Sequence, residues 1–194
     1  MPDRVVESSD VEVPEIPEIL EKVLLFSLEE AKEKMKQGAD VVPFTALVVK
    51  ENLFLENHPG ESADECFAFA RHTVENARGA EAYALCYDGY VEVDDETKDA
   101  LIAEGGIPGE DEGVAVGFLY TMSEDGEPAF EDEPAYIGEA PNYMADLKDA
   151  SEYDEEDIDG KYLDEDEFEE EPAEETYADE TETTEEPEEK SEWL

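Results

Sequence analysis

Positive charge is what this sequence has least of: Lys and Arg number 12 against 60 Asp and Glu in 194 residues, a formal charge of -48. A chain so acidic repels polyanions, which argues against direct nucleic-acid binding and against docking on an anionic membrane. Lys outnumbers Arg and Glu outnumbers Asp, which speaks against adaptation to a high-salt interior as the whole reason for the acidity. Cysteine is scarce too. Cys66 and Cys86 are the only two, and they sit among apolar neighbours rather than in the dense even spacing of a disulfide scaffold, so both read as buried free thiols. Histidine is limited to His58 and His72, without the paired spacing that makes a zinc motif specific. No apolar run approaches the roughly 20 residues needed to span a bilayer. Met1-Pro2-Asp3-Arg4 leads into acidic residues with no apolar signal region, so the expected location is cytoplasmic, away from membranes. Walker, G-x-G-x-x-G and G-x-S-x-G motifs are missing, which removes the usual nucleotide and serine-hydrolase readings; no cofactor is expected.

What is present divides into three parts. Residues 1–16 are an extended acidic leader broken by Pro14 and closed by Pro17; residues 17–142 read as one domain; residues 143–194 read as a disordered acidic tail. From Ser151 onward 23 acidic residues face two lysines, and the isolated apolar residues offer too little burial to offset chain entropy.

Within the domain, Leu20, Leu24, Leu28, Ala31 and Met35 recur at helical spacing, with Gly38 as a stop. An alternative has Ser27 and Glu30 capping a shorter helix from Leu28, with 22–26 as a strand. Phe44 to Val49 and Leu53 to Glu56 read as a hairpin joined by the three residues Lys50-Glu51-Asn52. Ser62 and Glu65 form a capping box ahead of a second helix, along which Cys66, Phe67, Ala70, Val74 and Ala77 share a face up to Gly79. Strands then follow over 82–87, 99–103, 114–122 and, more weakly, 135–138, with turns at Asp94-Asp95, 105–113 and 123–127. The order implies an α+β, two-layer domain: an antiparallel sheet of about five strands with both helices available to one face. By order alone it is similar to the roadblock and longin-like folds, a likeness that carries no function.

The stretch Tyr83-Ala84-Leu85-Cys86-Tyr87-Asp88-Gly89-Tyr90, followed by Asp99-Ala100-Leu101-Ile102-Ala103-Glu104, resembles a group of small bacterial proteins. They share a "YALxYDGY" strand and a "DALIxE" strand, and the likeness covers roughly residues 40–122. It implies a bacterial α+β domain and brings no activity, cofactor or site residue with it.

Candidate chemistry is sparse. In the tail, Glu155, Asp157, Asp159, Gly160, Tyr162 and Asp166 fall in EF-hand register, with Glu155, Asp157, Asp159 and Asp166 as the metal-ligating candidates. The first position carries Glu in place of Asp, and the twelfth carries Asp where a bidentate Glu is wanted; loose screening of an acidic tract by divalent cations is the plainer reading. Cys66 and His72, six residues apart, fall on opposite sides of a helix and form no dyad. His58 with Glu56, Glu61 and Asp64 offers metal-compatible groups beside a Pro-Gly turn. Asp88 and Glu104, near two strand ends, are possible paired carboxylates, or turn and solvation residues. Finally, Glu188 to Leu194 resembles the acidic, hydrophobic-tipped C-terminus of bacterial single-stranded-DNA-binding proteins, which implies Trp193 and Leu194 as a partner-docking pair; the bland alternative is an ordinary chain end.

With no catalytic constellation, the expected function is a non-enzymatic interaction module for a basic protein partner, in an adaptor, immunity-type or nucleic-acid-mimicking role. The rival readings are a small-molecule or metal-dependent enzyme centred on His58 or on Asp88 and Glu104, and weak calcium binding by the tail. Oligomeric state stays open, since sheet edges favour association and the charge opposes it.

Overall fold

The computed structural model describes residues 13–163, together with the backbone of Arg4–Val5. Its elements are β1 (Arg4–Val5), α1 (Glu18–Lys36), β2 (Phe44–Val49), β3 (Asn52–Asn57), α2 (Ala63–Glu75), β4 (Ala80–Val93), β5 (Glu96–Gly106), β6 (Glu112–Met122), β7 (Pro128–Phe130) and β8 (Ala135–Pro141), followed by two 3-10 turns at Ala150–Glu152 and Gly160–Tyr162. The class is α+β. Strands run in the order β3-β2-β4-β5-β6, and β6 pairs with β8 along its first half and β7 along its last residues. All these pairs are antiparallel; only the two residues of β1 pair parallel, against Val91 and Glu92 of β4. The sheet exceeds the five or so strands expected: the weaker strand at 135–138 forms as β8, and β7 and β1 add to the margins.

Helix α1 starts at Glu18 behind Pro17, whose carbonyl accepts the first helical bond from the Glu21 amide, and stops where Gly38 takes a φ of 79°. The long helix is thus the one formed, and 22–26 is no strand. Ser62 caps α2 by accepting the Glu65 amide at 3.2 Å, while the Glu65 carboxylate accepts from the Glu61 amide at 2.8 Å. The β2–β3 hairpin turns on two residues, not three. Lys50 and Glu51 both hold positive φ, as do Asp94 and Asp95 between β4 and β5, the backbone that lets a two-residue turn follow the strand twist.

The expected two-layer arrangement does not hold. Side chains alternate along each strand, so Phe44 and Ala46 of β2 and Ala82, Ala84 and Cys86 of β4 face one way, into a core closed by Leu20, Leu24, Leu28 and Ala31 of α1. Their neighbours Leu47, Val49, Tyr83, Leu85 and Tyr87 face the other way, into a second core closed by Ala70 and Val74 of α2. The helices cover opposite faces, giving three layers. Strands buried on both sides read as near-continuous apolar runs, as 82–87 does and 44–49 does but for Thr45.

The fold also runs past the expected boundary at 142, through the last described residue, 163. Residues 142–163 form a strap across the α2 face. Asn142 donates to the carbonyls of Ile107 and Glu110 at 2.8 and 2.7 Å, and its own carbonyl oxygen accepts the Met144 amide. Met144, Ile158 and Tyr162 are buried, and Tyr162 meets Phe54 edge-on at 5.1 Å. Ile158 seats against Gly79, where φ is 82° and a β-carbon would lie 2.7 Å from the isoleucine side chain. Isolated apolar residues in an acidic stretch thus find their burial on a pre-existing sheet face rather than in a core of their own.

Candidate interaction groove

Because α1 lies over β4 and β5, the α1-side face of β6 and β8 beyond its N-terminal end is left uncovered. The result is an open groove of about 640 Å³. Its apolar lining comes from Ile16, Leu20, Ile107, Val114 and Tyr136. Five carboxylates line it as well: Glu15 from the leader, Glu110, Asp111 and Glu112 from the β5–β6 loop and the start of β6, and Glu139 from β8. All five residues are exposed. The β6–β8 register explains the clustering, since Val114 pairs with Glu139 and Val116 with Tyr136 and so shares a face with them. Burial raises the Tyr136 phenol above its ordinary value, and Glu139 and Glu112 add to the rise by repelling a phenolate.

The dipole at the N-terminal end of α1 opposes this field with about half a positive charge. Five carboxylates outweigh it, and Glu18 and Glu21 in the first turn reduce it further. Among the described residues no Lys or Arg lines the groove. The groove therefore favours a cationic group whose apolar part reaches the floor. The stretch 105–113, read from the sequence as a turn, supplies this wall; what sequence reasoning missed was that β8 and the leader bring two further carboxylates to it. Only the density of Glu and Asp at 110–112 signalled it.

Of the four metal-ligating candidates, the three described ones, Glu155, Asp157 and Asp159, are each engaged locally. Glu155 pairs with Lys50 at 2.9 Å, Asp159 caps the last 3-10 turn by accepting the Lys161 amide, and Asp157 accepts the Asp154 amide at 3.4 Å. Tyr162, eighth in the EF-hand register, is buried on Phe54. Asp166 lies outside the described residues, as do Trp193 and Leu194. Among the described residues no three His, Cys, Asp or Glu side chains are grouped to hold a metal.

His58 is buried, with Nε2 at 2.8 Å from Thr45 Oγ1. Burial lowers its pKa below the ordinary value; Glu56 opposes that shift and Lys161 adds to it. This is a histidine tied to the sheet, apart from Glu61 and Asp64. Cys86 is fully buried and its thiol is pushed far up by burial, so it is no nucleophile at neutral pH. Asp88 and Glu104 fall on opposite faces and make no pair. Glu104, on the α2 side, accepts from the Tyr87 hydroxyl at 2.6 Å; Asp88, on the α1 side, accepts from the Tyr120 hydroxyl at 2.8 Å.

No helix among the described residues is long and apolar enough to cross a membrane. No family model, no curated protein and no solved structure matches the chain. The fold and the groove define an α+β domain with an acidic, apolar-floored cleft.

Proposed function

We propose that the chain is a non-enzymatic interaction module that seats a basic segment of a partner protein in the groove beside the N-terminal end of α1. The observation that carries this reading is the coincidence of five exposed carboxylates with an apolar floor in one cleft. Charge alone would speed encounter with any basic protein; an apolar floor adds the desolvated contact that gives residence time. The rest of the chain works in the same direction, since the net charge of -48 steers cations toward it and repels nucleic acid and anionic lipid.

The test is affinity capture on the full chain, wild type beside Glu110→Gln/Asp111→Asn/Glu112→Gln, each at about 50 and 300 mM salt, where screening lengths differ by a factor of roughly 2.5. The three positions are exposed, so the variant keeps its fold, checked by circular dichroism. The expected outcome is a basic protein held by the wild type at low salt and released by both the substitutions and the added salt. Binding that ignores the substitutions takes the groove out of the interaction, and absence of any basic protein overturns the reading.

A further inference from the structure

A second cavity, of about 420 Å³, opens at the other end of α1 on the same face of the sheet. Met35, Val41, Pro43, Met122 and Pro128 supply apolar walls, while Asp88 and Tyr120 supply a hydrogen-bonded polar pair. Asp40 is the other carboxylate of the lining. The size and the mixture of apolar wall with a few convergent polar groups are those of a small-molecule site.

The polarity of the cavity selects the ligand. The Tyr120 hydroxyl spends its proton on Asp88 Oδ1, so what the pair presents to the cavity is acceptor oxygen. The C-terminal end of α1, represented in the lining by Met35 and Gly38, adds the negative end of the helix dipole. The lysines of that last turn are engaged elsewhere: Lys34 lies 4.7 Å from the centre of the Phe44 ring, and Lys36 is 3.4 Å from Glu33. An anion is repelled. A neutral apolar guest leaves the half-buried Asp88 carboxylate without a counter-charge, and a metal ion finds two carboxylates among walls of carbon and thioether.

We propose that this cavity binds a small organic ammonium, an amine carried on a short apolar body, with its charge on Asp88 and the Tyr120 oxygen and its body against Met35 and Met122. Burial holds the Asp88 carboxyl above its ordinary range, with Asp99 and Asp40 adding repulsion against the Tyr120 bond that lowers it. A cation at this point counters the repulsion from Asp99 and Asp40 and gives the partly desolvated carboxylate a counter-charge. The site shares no lining residue with the groove, and only this one is lined by methionine, so either reading can fail alone.

Methionine reports on it directly. The chain has four: Met1, Met35, Met122 and Met144. Met35 and Met122 line the cavity, while Met144 is buried in the core on the opposite face. In full-length protein carrying 13C-methyl methionine, n-hexylammonium chloride is expected to move the Met35 and Met122 methyl signals saturably and to leave Met144 in place. At matched ionic strength, n-hexanol is expected to bind at least about tenfold more weakly, the factor that loss of one charged hydrogen bond brings. Asp88→Asn is expected to lose a similar factor, and Asp40→Asn, at an exposed position, about threefold, so the charge is tested even where one variant folds poorly. No saturable shift, equal binding of the alcohol, or unchanged affinity in both variants overturns the proposal. Tighter binding of N-acetyl-lysine methylamide than of hexylammonium also overturns it, assigning the cavity to a partner's lysine side chain.

Discussion

At Asp88 two demands meet in one carboxyl group. The strand places it where Tyr120 can donate to it, and the same placement removes water and brings Asp99 and Asp40 near. The net result is a folded-state pKa above the unfolded one. The folded chain therefore holds more protons than the unfolded chain between those two values, and stability falls as pH rises through that window. Above it the carboxylate is a standing cost. Asp88→Asn keeps an acceptor for Tyr120 and removes the charge. In the absence of amine, the substitution is expected to raise Tm at pH 7.5 by roughly 2–4 °C, the size of change that about 1 kcal/mol produces in a chain of this length. The gain is expected to shrink as pH falls through the raised folded-state pKa and the wild-type carboxyl takes up its proton. Calorimetry over a descending pH series checks it, and a gain that does not shrink on acidification refutes the account. None of this was legible in the sequence, where Asp88 reads as a turn or strand-end residue before Gly89. Its meaning depends on Tyr120, 32 residues away, and on a cavity walled by α1.

At the scale of elements, legibility follows how local the cause is. Both ends of α1 and the start of α2 were readable because Pro17, Gly38, Ser62 and Glu65 act within a turn or two of themselves. Helix α2 instead ends at Glu75 with Asn76 as its cap, short of Ala77 and the expected stop at Gly79, which lies in the turn into β4. The layer arrangement depended on which face each helix covers, and element order does not say. The near-continuous apolar runs 44–49 and 82–87 carried that information, since a sheet with one wet face alternates. The strap was the least legible element. Met144, Ile158 and Tyr162 are separated by acidic residues, and nothing local distinguishes them from a tail without structure. Its coupling to the body is open to a double-mutant cycle. Ile158→Ala is expected to cost about 2–4 kcal/mol, as loss of a buried isoleucine does. Gly79→Ala alone combines a φ near 80°, worth about 1–2 kcal/mol against an L-residue, with collision against Ile158. In the Ile158→Ala background only the backbone part remains, so the two costs are expected to sum to more than the double mutant loses, by 1 kcal/mol or more in urea denaturation. Strict additivity refutes the contact.

For the molecule as a whole, the excess of one charge works against the compact state. Residues 13–163 carry 39 acidic side chains against ten basic ones. Six ion pairs lie among the described residues, each with at least one partner well exposed, and pairs of that kind contribute little. Self-repulsion is stronger in the compact state than in the expanded one, and added salt screens it. Tm is therefore expected to rise as sodium chloride goes from about 10 to 500 mM, where the screening length shrinks from roughly 30 Å to a few ångströms. The same salt is expected to weaken capture of a basic partner by the groove. A Tm that falls or stays flat over this range contradicts the charge account.

The strap makes the two faces of the sheet unequal in time. The α1 side needs nothing beyond Phe130 and Tyr136 to close, whereas the α2 side waits for Ile158 and Tyr162. During synthesis, at roughly 5–20 residues per second, the chain passes through an interval in which one face is sealed and Phe54, Tyr83 and Tyr87 are still short of their last cover. Apolar surface exposed in that interval is what sticks newly made chains together. Here every such chain already bears a large excess of negative charge, so two nascent copies repel one another while the late face is still open.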